Sequence, residues 1–152
     1  MAVVAALPVA AASILGSWAT YPEIAGWYAG LKKPSFNPPN WIFGPVWTTL
    51  YVMMAVAFWR ILRGAGAAPG RGAAITAFLV QITLNALWSF AFFAANSPLA
   101  GLVVIAALWI AIVVKILAFA RIDGLAAWLL APYLAWVSFA ALLNFALWRL
   151  NS

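Results

Sequence analysis

The chain has 152 residues, of which 68% are hydrophobic and 7% charged, and it carries a formal net charge of +6. A soluble domain would carry about a quarter charged residues, so the composition excludes an ordinary soluble domain. Cysteine and histidine are both absent, which removes the thiol nucleophile, the disulfide, the commonest metal ligand and the usual proton carrier. The basic residues fall in predicted loops or near helix ends, where they set topology and meet lipid head groups, so we expect no nucleic-acid partner.

Five charge-free stretches divide the sequence. A bilayer-spanning helix needs about 20 apolar residues, or fewer where flanking charges snorkel. None of the stretches shows the period-two alternation of a barrel strand. We therefore predict an all-α integral membrane protein, with one domain over residues 1–152 built from five transmembrane helices. The stretches are residues 1–20, 41–59, 73–95, 99–114 and 124–148.

A long, structured loop is predicted between the first two helices. The first helix is expected over residues 3–20, and the loop over residues 21–40 is rich in proline. Proline fixes φ and restricts the residue before it, so we expect this loop to be stiff. Pro45 suits the first turn of the second helix, which is expected to end near residues 60–63. Residues 64–72 are rich in glycine and predict a flexible connection.

Local signals mark the next two helices. The third helix is predicted over residues 73–95. Ser97 and Pro98 predict the N-cap and first residue of the fourth helix, which should continue to about residue 120. Lys115 is expected to snorkel to the end of that helix.

The fifth helix is predicted to open at Asp123, which would serve as its N-cap. This helix carries Pro132 and is expected to end at Arg149. With five spans the two termini lie on opposite sides of the membrane. The distribution of basic residues places the N-terminus inside and the proline-rich loop outside.

Three predicted helices carry polar and aromatic side chains along one face. Amides in hydrocarbon are costly unless they are bonded, so these faces should point into the bundle. Two interpretations remain open: the stripes pack the helices together, with amides as interhelical glue, or they wall a pocket with flat sides. The stripes are Trp47, Tyr51, Met54 and Phe58 in the second helix, Gln81, Asn85, Trp88 and Phe92 in the third, and Tyr133, Trp136, Ala140 and Asn144 in the fifth.

The proline-rich loop would form a lid over such a pocket. Trp27 is either an interfacial anchor or part of the lid. Lys32 and Lys33 either set topology or meet an anionic group on a bound ligand. Pro38 and Pro39 stiffen the segment that leads into the second helix.

Three segments carry a specific pattern. The first reads Trp27-Tyr28-x-x-Leu31-x-Lys33-Pro34-x-x-x-Pro38-Pro39-x-Trp41-x-Phe43-x-Pro45-Val46-Trp47-x-x-Leu50-Tyr51. The second reads Gln81-x-x-x-Asn85-x-x-Trp88-x-x-x-Phe92-Phe93, and the third begins Pro132-Tyr133-Leu134-x-Trp136 and runs on to Asn144. In this order, over almost the whole chain, they resemble the TspO/MBR family of tryptophan-rich sensory and translocator proteins.

This resemblance implies a five-helix membrane fold, commonly a homodimer, with a pocket that opens toward the first loop. Members bind tetrapyrroles such as protoporphyrin IX, and eukaryotic members bind sterols and benzodiazepine-type drugs. No cofactor is required, and the porphyrin is a ligand. Without histidine or cysteine, conventional haem ligation would leave only methionine or tyrosine, so we expect metal-free porphyrin. The ligand-binding residues that the resemblance implies are Tyr28, Trp47, Asn85, Trp88, Trp136, Ala140 and Asn144, and the stripe of the second helix adds Tyr51.

The resemblance leaves other activities open. Some bacterial members degrade porphyrin in light, and the implicated tryptophans match Trp47 and Trp136; passive translocation of porphyrin or sterol is a further alternative. Active transport is not expected, because Glu23 and Asp123 are the only acids and both lie at loops or helix ends, whereas proton relays use carboxylates inside the membrane. Phe145 takes the tyrosine position of the cholesterol motif, so the strict motif is missing. The alanine- and arginine-leaning composition favours a bacterial cell membrane.

Overall fold

The computed structural model describes residues 2–64 and 69–151. Within these ranges the chain is helical and contains no strand, which confirms the predicted all-α fold. The predicted connection over residues 64–72 lies partly outside the described residues. The helices are α1 (Ala2–Ile24), α2 (Asn40–Gly64), α3 (Arg71–Ser89), α4 (Pro98–Ala120), α5 (Gly124–Leu129) and α6 (Ala131–Leu150), with a 3₁₀ turn at Tyr28–Gly30 and a π-helical turn at Phe90–Ala94 that extends α3.

Five segments are long and apolar enough to cross a membrane, as predicted. They are Val3–Ile24, Asn40–Gly64, Arg71–Ala94, Pro98–Ala120 and Gly124–Leu150. Large apolar side chains on their outer faces are exposed, including Trp18, Val103 and Leu142. An apolar surface of this extent suits a lipid environment, in which every backbone polar group is satisfied within the helices.

Two predicted boundaries are wrong, and both involve proline. α1 continues past Pro22, and α2 begins at Asn40, so that Pro45 lies in its second turn and not in its first. Each proline removes only one backbone donor, a loss that membrane helices tolerate where neighbouring groups satisfy the freed carbonyl. The loop between α1 and α2 is therefore shorter than predicted and covers residues 25–39.

The fifth span is divided in two near Pro132. α5 ends at Leu129 and α6 begins at Ala131, so the single helix predicted for this span is interrupted. Proline has no N–H and cannot complete the regular ladder of hydrogen bonds. The N–H of Leu130 bonds instead to the carbonyl of Ala127 at 3.1 Å, which tightens the chain at the break.

Both predicted N-caps are confirmed. The Ser97 hydroxyl accepts a hydrogen bond from the backbone N–H of Ala100 at 3.0 Å, and Pro98 is the first residue of α4. The Asp123 carboxylate accepts one from the N–H of Leu125, also at 3.0 Å. Each cap satisfies a donor that the helix itself leaves unpaired.

The prediction that Lys115 snorkels is wrong. Its side chain is completely buried, and it shares one face of α4 with Leu108, Ile112 and Phe119. Residues at this spacing lie above one another on a helix, and this face packs into the bundle. The Lys115 ammonium therefore donates a hydrogen bond to the side-chain carbonyl of Gln81 and does not reach the head groups.

The helices pack so that α3 contacts α1 and α4, while α4 also contacts α6 and α2 contacts α1 and α5. The main core is formed by aliphatic and aromatic side chains from all of these helices. A second, smaller cluster surrounds Tyr28 and Phe92 at the end of the bundle that carries the first loop. The candidate site lies at this loop end.

Candidate functional site

A cavity of about 350 Å³ lies at the loop end of the bundle, among residues of α1, α2, α3 and α6. This volume falls within the range of small-molecule pockets, about 300–1,000 Å³. The structure brings all eight predicted ligand-binding residues to its wall. They are Tyr28, Trp47, Tyr51, Asn85, Trp88, Trp136, Ala140 and Asn144.

The walls are largely aromatic, with four tryptophans from three spans: Trp41 and Trp47 from α2, Trp88 from α3 and Trp136 from α6. The indole of Trp47 lies 5.6 Å from the ring of Tyr51, measured between centroids. Trp88 stacks on Phe92 at 5.3 Å with an interplanar angle of 23°. Rings held against one another in this way form flat, fixed apolar surfaces, which suit a flat apolar ligand.

The amide of Asn144 is fixed on both sides. Its side-chain carbonyl accepts a hydrogen bond from the Trp88 indole N–H at 3.0 Å, and its amide N–H donates to the backbone carbonyl of Pro98 at 2.7 Å. Asn144 is 1% exposed, so losing either partner would leave a buried polar atom unpaired. The amide thereby sets the plane of the Trp88 ring on the cavity wall.

The Trp136 indole has a different environment. Its N–H is buried and has no hydrogen-bond partner among the described residues. Buried donors are nearly always paired in folded proteins. The orphaned N–H is therefore suited to an acceptor that a ligand or a water molecule would bring into the neighbouring cavity.

The loop contributes Tyr28 to the cavity wall. This side chain is 4% exposed, and its hydroxyl donates to the side-chain carbonyl of Asn37 at 3.4 Å. Burial raises the pKa of the Tyr28 phenol above its ordinary value, so the hydroxyl remains protonated at neutral pH. Tyr28 also contacts Phe92 and Phe93, which joins the loop to the end of α3.

The residues predicted to form the lid do not line the cavity; these are Trp27, Lys32, Lys33, Pro38 and Pro39. Trp27 packs behind the wall, with its indole 5.4 Å from the ring of Phe92 in an edge-on arrangement. The Lys33 ammonium folds back onto its own loop and donates to the carbonyls of Tyr28 at 2.8 Å and Leu31 at 3.2 Å. Lys33 therefore caps the 3₁₀ turn, whereas Lys32 is exposed.

Asn151 fastens the loop to the end of α6. Its side-chain carbonyl accepts a hydrogen bond from the backbone N–H of Lys32, and its amide donates to the Lys32 carbonyl, both at 2.9 Å. The same amide also donates to the carbonyl of Leu147 at 2.8 Å. We call this arrangement, formed by Asn151, Lys32 and Leu147, the Asn151 clamp.

Sequence reasoning missed the contribution of the first helix. The walls were expected from three spans, but α1 supplies a fourth. The signal was present as small and hydroxyl-bearing residues three and four positions apart, a spacing that places them on one helix face. The cavity-lining residues at this spacing are Ser13, Gly16, Ser17 and Thr20.

The π-helical turn places two consecutive phenylalanines on the cavity. The N–H of Ala95 bonds to the carbonyl of Phe90 at 2.8 Å, five residues back along the chain. Such a turn accommodates one extra residue and changes the direction of the side chains around it. Both Phe92 and Phe93 consequently line the wall, although a regular helix would separate them by about 100°.

The chemistry of the wall is that of binding. Among the described residues, no carboxylate, thiol or imidazole lines the cavity. Hydroxyl, amide and indole groups orient a ligand through hydrogen bonds but do not exchange protons readily near neutral pH. The arrangement is therefore able to hold and orient a ligand.

Comparison with known proteins agrees with this architecture. The sequence matches the TspO/MBR family over residues 4–149. The chain belongs to this family. It is 49% identical over 131 residues to the tryptophan-rich protein TspO of Chlorobaculum tepidum, covering 86% of this chain and 83% of the relative. It is 36% identical over 125 residues to the tryptophan-rich sensory protein of Cereibacter sphaeroides (82% and 77% covered) and 36% identical over 138 residues to the human translocator protein (90% and 82%).

Proposed function

We propose that this protein is a membrane receptor or sensor that binds a flat, apolar, anionic tetrapyrrole resembling protoporphyrin IX in the cavity. The observation that carries the proposal is the convergence of Trp47, Trp88 and Trp136, from three different spans, on one cavity that three asparagine side chains also line. Stacking against each indole would contribute about 0.5–1.5 kcal/mol beyond the burial of apolar area. Other flat lipophilic molecules would fit the same walls. The name of the Cereibacter sphaeroides relative attributes a sensory role to that protein.

Polar groups would orient the ligand. The unpaired indole N–H of Trp136 is suited to an acceptor on the ligand. Neither loop lysine lines the cavity, and Lys33 is occupied by backbone carbonyls. We therefore assign to the exposed Lys32 only those ligand carboxylates that project out of the cavity. The sequence contains no histidine or cysteine, so metal-free porphyrin remains the preferred ligand, bound without an axial metal bond.

The proposal is tested by titrating the purified protein with protoporphyrin IX and following the Soret absorbance of the porphyrin. This signal does not depend on how many tryptophans remain. We expect saturable binding to the wild type, with affinity about tenfold weaker or worse in Trp47→Ala and in Trp136→Ala, since each loses both a stacking contact and buried area.

The matched control is Trp128→Ala, because Trp128 is 75% exposed and lies on α5, away from the cavity wall. Its affinity should equal that of the wild type. The cavity proposal fails if all three tryptophan variants bind the porphyrin as tightly as the wild type does, or if the wild type shows no saturable binding.

Light-dependent degradation of the porphyrin is a second candidate, favoured by the same placement of Trp47 and Trp136. In this reaction the light-excited porphyrin would react in the presence of oxygen while neighbouring indoles are oxidised. If the illuminated complex loses its porphyrin absorbance no faster than free porphyrin in the same detergent, this candidate is excluded.

We further propose a homodimer in a bacterial cell membrane as the working state. Family membership supports the dimer, and the five apolar spans together with the bacterial relatives support the location. Crosslinking in native membranes would test the assembly. A crosslinked dimer would support the proposal, and a pattern that contains only monomers would contradict it.

A further inference from the structure

Lys115 is a buried lysine inside an apolar bundle. It is 0% exposed and donates a hydrogen bond to the side-chain carbonyl of Gln81. Its ammonium lies 5.0 Å from the ring centroid of Phe78 and 5.1 Å from that of Tyr133. Ionisable residues in transmembrane segments are costly and usually serve a function, and the proposed function as stated above does not use this one.

A continuous chain of hydrogen bonds leads from Lys115 to the cavity. The amide N–H of Gln81 donates to the Tyr133 hydroxyl at 2.5 Å, and that of Asn85 donates to the same oxygen at 2.6 Å. The hydroxyl of Tyr51 donates to the Asn85 side-chain carbonyl at 2.8 Å. Asn85 and Tyr51 both line the cavity wall. We call these five residues the Lys115 chain.

The Lys115 chain joins four helices, α4, α3, α6 and α2. Its members from Lys115 to Asn85 are at most 4% exposed, so bulk solvent has little access to them. The Lys115 side chain donates to the carbonyl of Gln81, and this orientation turns the Gln81 amide N–H toward Tyr133. The hydrogen bonds of a buried network polarise one another, so the loss of one member weakens the remaining bonds.

We infer that Lys115 is a positioning residue for ligand binding, because it fixes, through Gln81 and Tyr133, the orientation of Asn85 and Tyr51 on the cavity wall. This inference rests on the proposed function. A ligand that hydrogen-bonds to Tyr51 then depends on a cation that it never touches.

The alternative is that Lys115 only packs. Methionine has a similar length and no charge, and replacing buried charges by apolar groups of similar volume is often neutral or stabilising. Lys115→Met would in that case leave ligand affinity unchanged, or change it independently of any substitution at Tyr51.

A double-mutant cycle separates the two accounts. Protoporphyrin IX affinity is measured by Soret titration in the wild type, Lys115→Met, Tyr51→Phe and the double variant. Residues coupled through one network show non-additive effects. We expect Lys115→Met to weaken binding about tenfold, and to weaken it less than about twofold when Tyr51 is already phenylalanine.

The matched control is Tyr28→Phe. Tyr28 is a second tyrosine on the cavity wall, but its hydroxyl bonds to Asn37 and not to the Lys115 chain. The loss caused by Lys115→Met should therefore keep its full size in the Tyr28→Phe background. If the loss of affinity caused by Lys115→Met became equally small in the Tyr51→Phe and Tyr28→Phe backgrounds, the effect would be a general structural one. That result would overturn the inference.

The outcomes separate this inference from the proposed function. Absent binding in the wild type would refute the proposed function, whereas normal wild-type binding with additive effects of Lys115→Met and Tyr51→Phe would overturn only the role of Lys115. If Lys115→Met does not give a folded protein by size-exclusion chromatography, Lys115→Met with Gln81→Leu takes its place in the cycle. That pair removes the cation and its acceptor together, so no unpaired amide is left between them.

Discussion

Gly101 on α4 makes room for the amide that fixes Trp88. A Cβ atom at this position would lie 2.8 Å from Cδ2 of Phe92 and 2.9 Å from the side-chain oxygen of Asn144. Contacts this short do not occur without displacement of one partner. The absence of a side chain at Gly101 therefore allows Phe92 and Asn144 to take their places at the cavity wall.

Substitution of Gly101 should consequently affect both stability and the site. We expect Gly101→Ala to lower the free energy of unfolding by about 1–3 kcal/mol, the usual cost of overpacking, and to weaken protoporphyrin binding. Thermal unfolding in detergent and Soret titration measure the two effects.

Gly72→Ala provides the control, since a Cβ there meets nothing within 4 Å. Alanine in a helix is also favoured over glycine, so this variant should be as stable as the wild type or slightly more so. A Gly101→Ala protein with unchanged stability would show that the wall yields more easily than the contacts indicate.

At the residue scale, the sequence predicts cavity residues well where helical spacing and chemistry agree. Asn85 and Asn144 were expected to point inward because an amide is costly in lipid, and both line the cavity. Lys115 was predicted wrongly, because a lysine near a helix end usually snorkels. Its environment depends on which face of α4 packs against α3, and that follows from tertiary contacts.

Among the helices, α5 is short and is held to α2 by Asp123. The Asp123 carboxylate caps α5 and also pairs with Arg60, whose Nε lies 2.8 Å from Oδ2. Desolvation raises the pKa of Asp123, but the hydrogen bonds from Arg60 and from the backbone outweigh it, so this pKa lies below its ordinary value of 3.8. The folded state therefore favours the charged carboxylate.

Removing the carboxylate should destabilise the protein more than removing its ionic partner. We expect Asp123→Ala to cost about 1 kcal/mol for the cap and up to about 1 kcal/mol more for the partly exposed ion pair. Arg60→Met should lose only the smaller second contribution. Thermal unfolding in detergent would contradict this account if Arg60→Met were the more damaging change.

The lowered pKa of Asp123 predicts that the stability of the protein depends on pH. Because the pKa is lower in the folded state, the ionised carboxylate stabilises the protein fully at pH values above the ordinary carboxyl pKa. This stabilisation is lost as the pH falls through the pKa of the folded state. In acid, the difference in melting temperature between the wild type and Asp123→Ala should therefore narrow.

Element boundaries were predictable where one residue decides them. Ser97 and Asp123 cap their helices through local hydrogen bonds, and both were correctly predicted. Proline was less informative, because Pro22 and Pro45 lie inside helices whereas a break occurs beside Pro132. The outcome depends on whether surrounding groups support the freed carbonyl, which the local sequence does not show.

At the scale of the whole molecule, three spans separate the first loop from the α4–α5 connection. These two segments therefore lie on opposite sides of the membrane. The chain has no cysteine, so single cysteines can report each side. In sealed, uniformly oriented vesicles, Ser35→Cys and Gly124→Cys should react with an impermeant maleimide from opposite sides. Asn96→Cys, in the turn before α4, should label with Ser35→Cys; reaction of all three from one side would contradict the five-span topology.

The Asn151 clamp has a consequence for biosynthesis. Its two partners, Lys32 and Asn151, are separated by 119 positions in the chain, so translation must pass Asn151 before the loop can be fastened. During insertion, the earlier spans would stand in the bilayer while the loop is not yet tied to α6. Synthesis of the end of α6 would then fix the loop that carries Tyr28 on the cavity wall.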